Sequence, residues 1–277
     1  MRVGFVGLGN MGAAQAAEIA RAGFELSVYD AFAGTLDAFT AGTRAASPAG
    51  VAARSQIIGV CVRDDAQVRE VISGANGLAQ SIAPGSLVLV HSTVSPATVV
   101  TEAENLRRRG AELIDAALTR TRYGPAPGPF VLSMTGGDAA LTERARPVLE
   151  AFSTAVVHAG PLGAGMALKI ANNFVTWSHI LVIKQALALA GAGGVDAGTL
   201  REVMKGNGNL TPVTAAVMDG AERDARGMSA ERREFFASQG KIGEKDLALA
   251  LELARSAGVK LSMGEQAARD ILEAMLR

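Results

Sequence analysis

Three glycines near the amino terminus constrain the fold more than any other feature. The apolar run 2–6 leads into Gly7-Leu8-Gly9-Asn10-Met11-Gly12, and the run 11–22 follows with helical periodicity. In a strand–turn–helix unit, Gly7 permits the tight turn out of the strand. Gly9 lets backbone approach a pyrophosphate with no Cβ in the way, and Gly12 lets the helix pack closely on the strand. The helix N-terminus then offers free N–H groups and a favourable dipole to phosphate charge. This spacing alone also fits a turn with no ligand, or a flavin or methyl-donor nucleotide. The strand before it, the helix after it and an acid at the end of the second strand favour a nicotinamide dinucleotide. That acid is Asp30, 18 residues beyond Gly12. Its carboxylate can accept hydrogen bonds from both ribose hydroxyls and would repel a 2′-phosphate, so the pattern points to NAD over NADP. The expected cofactor contacts here are Gly7, Leu8, Gly9, Asn10, Met11, Gly12 and Asp30.

The rest of the first half repeats the alternation. Runs 25–29, 56–62 and 87–90 read as strands, and another strand begins at 112–115. Helical patterns at 35–40, 66–73 and 96–109 separate them. Such alternation specifies a mostly parallel sheet with helices on both faces, an α/β Rossmann-type domain. Residues 120–129, with Gly124, Pro125, Pro127, Gly128 and Pro129, read as a loop. Strands at 130–135 and 154–159 follow, with a helix between them. Beyond Gly160-Pro161 the β-type runs almost vanish, and 164–192 and most of 199–277 have helical periodicity. The reading is therefore an α/β dinucleotide-binding domain over 1–162, and an all-α domain over 163–277 serving substrate and oligomerisation. The long helix connects them.

Composition narrows the class. Hydrophobic residues make up 49% of the 277 and aromatics only 4%, so the core must be aliphatic. Lys+Arg and Asp+Glu both number 27, which leaves no global attraction to nucleic acid or an anionic membrane. Cys61 is the single cysteine, so no internal disulfide forms, and no metal-type Cys/His spacing appears. A reducing, cytoplasmic compartment fits this usage. Near the N-terminus only Arg2 is basic and glycines interrupt the apolar stretch, which is unlike a signal peptide. The apolar segment 164–192 carries Lys169, Asn172, Asn173, His179 and Lys184, which argues against a membrane span and for a buried helix. His91, His158 and His179 share no triad or metal spacing and read as structural.

Lys169 and Asn173 are four residues apart and share one helix face. Met166, Leu168, Ile170, Phe174 and Val175 surround them with apolar groups. A lysine so placed loses hydration, and a fall of roughly two to three units from about 10.4 would let it exchange protons near neutral pH. Asn173 is then placed to fix a substrate by hydrogen bonds. The alternative is a lysine whose stem covers apolar surface with its head in water, and an asparagine bonded to a loop. Gly163 and Gly165, six and four residues before the lysine, would admit another backbone or a cofactor. Elsewhere, Asp64-Asp65 reads as a helix start, and the backbone of Val62 and Arg63 ahead of it as a border of the adenine side. Ser92 and Thr93 follow a buried strand on the usual ligand side of a parallel sheet, or else cap the helix after Pro96.

Taken in chain order, these motifs resemble the β-hydroxyacid dehydrogenase family, which includes 3-hydroxyisobutyrate dehydrogenase and, more distantly, 6-phosphogluconate dehydrogenase. Gly4-Phe5-Val6-Gly7-Leu8-Gly9-Asn10-Met11-Gly12 is similar to the family's opening signature, and Gly163-Ala164-Gly165 with Lys169 and Asn173 to its catalytic signature. His91-Ser92-Thr93-Val94-Ser95-Pro96 resembles the segment that meets the nicotinamide end, and Lys245-Asp246-Leu247 the C-terminal motif whose lysine reaches the cofactor region. The resemblance covers nearly the whole chain. It implies an active site in the cleft between a Rossmann domain and a helical domain, a homodimer or homotetramer, and no metal. It also implies Lys169 as general acid in reduction and base in oxidation, with Asn173 beside it, and Ser92 and Thr93 near substrate and cofactor.

One segment departs. Where the family usually has Ser-Gly-Gly after its aspartate, this chain reads Asp115-Ala116-Ala117-Leu118-Thr119-Arg120-Thr121-Arg122. Arg120 is a fork able to bind a carboxylate or sulfonate bidentately. The segment resembles that of sulfolactaldehyde reductase, where an arginine helps hold a sulfonate. The implied substrate is a small anionic molecule held by Thr119, Arg120, Thr121 and Asn173. The alternative is that Arg120 and Arg122 are solvated loop charges. Two competing readings of the whole chain are an imine reductase on a related two-domain plan and a catalytically silent nucleotide-sensing or interaction protein.

Overall fold

The structure is a computed structural model that describes residues 1–121, 127–224 and 227–276. Among these residues eight strands form one sheet: β1 (Arg2–Val6), β2 (Glu25–Tyr29), β3 (Thr43–Arg44), β4 (Ile57–Val60), β5 (Leu87–Val90), β6 (Glu112–Arg120), β7 (Val131–Gly136) and β8 (Ser153–Gly160). Their order is β3-β2-β1-β4-β5-β6-β7-β8. All neighbours are parallel except β6 and β7, which run antiparallel with Asp115 opposite Gly136 and Arg120 opposite Val131. The chain order reverses between β1 and β4, and the C-terminal edge of such a switch point is where open α/β sheets take ligands.

The central strands β4 and β5 are Ile-Ile-Gly-Val and Leu-Val-Leu-Val, buried at every position because helices cover both faces. Alternate side chains feed two cores. Ile58, Val60, Val88 and Val90 pack with α3 (Pro48–Ala52), α4 (Asp65–Ser73) and α5 (Pro96–Arg107). Ile57, Leu87 and Leu89 pack with α1 (Asn10–Arg21) and α6 (Ala139–Leu149) on the other face. The short helix α2 (Ala33–Ala38) follows β2.

Three small elements have no counterpart in the sequence reading: β3, α3 and a short 3-10 turn at Leu78–Gln80. They are too short for periodicity to register, although α3 has a local signal. Ser47 Oγ accepts from Gly50 N at 3.1 Å and Pro48 opens the helix. Strand β6 runs nine residues, so Arg120 ends a strand and does not open a loop. Antiparallel pairing with β7 extends it that far. Arg122, Gly124 and Pro125 lie outside the described residues.

The chain divides into two compact units, the first ending at Lys169 and the second beginning at Ile170. The helix α7 (Ala164–Ala192) passes through the division. The second unit continues with α8 (Ala197–Gly206), α9 (Pro212–Asp224), α10 (Ala230–Ser256) and α11 (Ser262–Leu276). Its core joins Trp177, Leu181, Leu247, Ala267, Ile271 and Met275. Gly243 lets α10 close against Ile271 and Trp177, where a Cβ would lie 2.9 and 3.2 Å from their atoms.

The expectation of a buried α7 is corrected. Only 17% of its most apolar 18-residue window is buried, and the helix is long and apolar enough to cross a membrane. Leu168, Val175, Val182 and Leu189 are exposed at a spacing of seven and line one stripe. Hydrophobic periodicity marks an apolar face, but it does not say whether the same chain covers it.

Candidate cofactor turn and lysine helix

The turn after β1 is built by steric exclusion. Gly7 has φ 94°, and a Cβ there would collide with the Cys61 carbonyl. A Cβ on Gly12 would collide with the Gly7 carbonyl. Gly9 differs, because nothing lies within 4 Å of the position its Cβ would take. Two glycines are therefore demanded by packing, while the third keeps space open at the start of α1. Gly9 is the N-cap, with no side-chain cap bond and no acid in the first turn, so the leading N–H groups of Asn10 and Met11 are left to an outside acceptor. Asp30 braces the turn: Oδ2 accepts from Leu8 N at 2.7 Å and Oδ1 from Phe32 N at 2.8 Å. Each carboxylate oxygen keeps a lone pair for a ribose hydroxyl. The open Gly9, the uncapped helix start and the fixed carboxylate fit a dinucleotide.

The neighbouring strand ends are tied together. Val62 N donates to Ser92 Oγ at 2.8 Å, which joins the segment after β4 to that after β5. Arg63 N donates to Gln67 Oε1 at 2.9 Å, and Asp64 caps α4 through Gln67 N at 3.0 Å. Ser92 and Thr93 do not cap α5. Ser95 is its N-cap residue, and Asp65 Oδ1 accepts from Ser95 N at 2.9 Å and Thr98 Oγ1 at 2.6 Å. His91 lies between Phe5 (stacked, 5.8 Å) and Phe152 (edge-on, 5.6 Å), with Nδ1 2.8 Å from the Ala116 carbonyl. Burial pushes its pKa down to about 4, so the ring is neutral and Nδ1 is the donor. Cys61 is likewise pushed up to about 11 by burial, which makes the thiol inert.

Asp115 is a residue the sequence reading placed in a motif but gave no role. It is fully buried, with Oδ1 accepting from Gly163 N at 2.8 Å and Oδ2 from Met166 N at 2.7 Å. Burial raises its pKa, and the backbone N–H groups pull it back down. A Cβ on Gly165 would lie 2.5 Å from the Met134 carbonyl, and one on Gly136 2.7 Å from Gly165 N. Gly163 has φ 91°. Gly165 thus admits the β7 backbone and the Asp115 carboxylate, while Gly163 supplies the positive-φ turn beside Pro96. Lys169 follows one turn later, 9% exposed. Along β6 the alternation puts Thr119 on the face of Asp115 and Ala117. Arg120 falls on the opposite face, exposed, with its guanidinium carbon 5.9 Å from the Phe130 ring centre. Thr121 N donates to the Phe130 carbonyl at 3.0 Å.

In the second unit Asn173 is buried and donates Nδ2–H to Asp246 Oδ2 at 2.7 Å. Trp177 Nε1 donates to the same oxygen at 3.2 Å. The Lys245 ammonium is 3.0 Å from Oδ1 but off the hydrogen-bonding direction, so that contact is an ion pair and not a directed bond. In the sequence Asp246 is marked only by its place between Lys245 and Leu247 in the C-terminal motif.

Residues 2–160 match the model of the NAD binding domain of 6-phosphogluconate dehydrogenase, and residues 163–277 match that of the NAD-binding region of NADP-dependent 3-hydroxyisobutyrate dehydrogenase. The chain belongs to the β-hydroxyacid dehydrogenase family. This family member is an NAD(P)-dependent oxidoreductase. It is 33% identical over 270 residues to the NAD-dependent L-serine dehydrogenase of Pseudomonas aeruginosa, covering 96% of this chain and 89% of that one. The crystal structure of a 3-hydroxyisobutyrate dehydrogenase from Salmonella typhimurium superposes with a TM-score of 0.80 at 27% identity, covering 99% and 93% of the two chains. An imine reductase from Myxococcus stipitatus shares the fold, with a TM-score of 0.67 at 22% identity over 99% of this chain and 93% of that one.

Proposed function

We propose that this dehydrogenase interconverts a short 3-hydroxy acid and its semialdehyde, with NAD(H) as the hydride carrier and Lys169 as the proton donor and acceptor. The nicotinamide, when bound, supplies or takes the hydride. In reduction, the Lys169 ammonium delivers a proton to the carbonyl oxygen, and in oxidation the neutral amine removes the hydroxyl proton. Asn173 hydrogen-bonds the reacting oxygen or the acid group. Thr119 and Thr121 offer hydroxyls to the substrate's carboxylate or sulfonate and Ser92 holds the neighbouring segment, while Arg120, on the opposite face of the strand over Phe130, is left out of this anion seat. The observation that carries the reading is the seat of Lys169: a nearly buried lysine on a helix turn docked on β6 by Asp115, with Asn173 one turn further on.

Asp30 supports NAD over NADP, since its carboxylate is held by two backbone N–H groups where a 2′-phosphate would meet its charge. The exposed stripe of α7, with Leu168, Val175, Val182 and Leu189, supports a homo-oligomer in which a second copy covers it.

Turnover of a panel of small hydroxy acids, sulfonates, semialdehydes and imines with NADH and NADPH, followed by absorbance, tests the assignment. Semialdehyde reduction with NADH is expected. Imine turnover without semialdehyde turnover, or a strong NADPH preference, would overturn the substrate or cofactor reading respectively. Lys169→Ala is expected to bind NADH and retain only a small residual turnover.

A further inference from the structure

We propose that Asp115 is a positioning residue that sets Lys169 in register with the substrate strand, an inference that rests on the reading of Lys169 as proton donor. Both Asp115 oxygens are spent on the backbone start of α7, at Gly163 N and Met166 N. Met166 is three residues before Lys169, so the carboxylate holds the turn that immediately precedes the lysine. Consecutive helical residues are about 100° apart around the axis, so slipping this turn by one residue would swing Lys169 off its face.

The seat leaves no slack. Gly165 lies against the Met134 carbonyl and the Asp115 carboxylate, and Gly136 against Gly165 N, at separations where an added Cβ would come within 2.5 to 2.8 Å. The spacing of Gly163, Gly165 and Lys169 is then a single device: one glycine for the backbone turn, one for contact, and the lysine one turn beyond.

Asp115 also belongs to β6, paired with Val90 on β5 and Gly136 on β7. Four residues further along the same strand, on the same face, is Thr119. One continuous strand therefore carries both the seat of the lysine helix and the segment assigned to the substrate's acid group. Burying a carboxylate is costly, as its raised pKa shows, and a neutral acceptor would seat a helix more cheaply for stability alone. A charged acceptor makes the shorter and stronger bonds that fix position.

The test is a double-mutant cycle between Asp115→Asn and Lys169→Ala, read as kcat, KM, NADH affinity by fluorescence titration, and Tm. Asp115→Asn is expected to lower kcat about 100-fold, the scale of misplacing a catalytic group by about 1 Å, with NADH affinity unchanged. In the Lys169→Ala background it should cost nothing further, because both changes remove the same function. An equal loss in both backgrounds, as a general structural defect would give, overturns the proposal. So does full turnover of Asp115→Asn beside a Lys169→Ala reduced to residual turnover. Full turnover of Lys169→Ala instead removes the proton-donor reading beneath it. Gly165→Ala displaces the same turn with the carboxylate retained, and the same non-additivity with Lys169→Ala is expected if Asp115→Asn does not fold.

Discussion

Asn173 on α7 donates its amide N–H to Asp246 Oδ2 on α10 at 2.7 Å, and this bond fixes the orientation of the amide. A carboxylate accepts only, so the nitrogen of Asn173 must face Asp246 and its carbonyl oxygen is left for other partners. Trp177 shares the same acceptor at 3.2 Å and is the chain's single tryptophan. Asp246→Ala strands two buried donors, so stability should fall by about 2–4 kcal/mol, and Asp246→Asn, which keeps one acceptor, should lose less. Chemical denaturation measures the loss, and Trp177 emission reports the broken bond directly. An unchanged spectrum and midpoint for Asp246→Ala would contradict the network.

The glycines of the first turn should separate folding from binding. Gly12→Ala drives a methyl into the Gly7 carbonyl and is expected to yield an unstable or misfolded chain. Gly9→Ala meets no protein atom, so Tm should hold while NADH affinity falls about tenfold or more as the methyl blocks the backbone's approach to pyrophosphate. Calorimetry and an NADH fluorescence titration on both variants check the contrast. Equal NADH affinity for Gly9→Ala and the parent chain would remove Gly9 from the phosphate site.

His91 gives the fold an acid limit. Its folded pKa is lowered to about 4 from the ordinary 6.5. Between those values the unfolded chain binds a proton that the folded chain refuses, so stability falls as pH drops from 6.5 toward 4. The contribution is full above 6.5 and amounts to about 3 kcal/mol. His91→Phe keeps the stacking with Phe5 and should flatten the Tm–pH curve in this window. A curve as steep as the parent's would assign the acid sensitivity to other groups.

The α7 stripe should report on association. Val182→Lys places a charge at the middle of the exposed apolar row, away from Lys169 and Asn173. If a second copy covers this face, sedimentation velocity should show the variant dissociating at concentrations where the parent chain is assembled. Equal sedimentation of the two would move the interface elsewhere.

The glycine turn, the apolar strands and the helices after them were legible because their causes are local. A run such as Leu-Val-Leu-Val, rich in β-branched valine and bounded by turn residues, suits a strand covered on both faces, and Gly7, Gly9 and Gly12 act within six residues. Lys169 and Asn173 were legible as a pair because helical spacing alone puts them on one face. Arg120 was legible as a charge but not as to its side, since only strand alternation beyond residue 115 sends it over Phe130, opposite Thr119.

The sequence by itself determined an α/β chain with a dinucleotide turn and a lysine helix, since these follow from backbone sterics and hydrophobic period. Only the tertiary structure decided what holds that helix. Asp115 meets Gly163 and Met166 across 48 and 51 residues, and Asn173 meets Asp246 across 73. Buried carboxylates must be satisfied by whichever donors the fold delivers, and strand order and helix packing choose those donors. The same holds for the stripe on α7, whose apolar character is written in the chain but whose exposure is a property of the packed molecule.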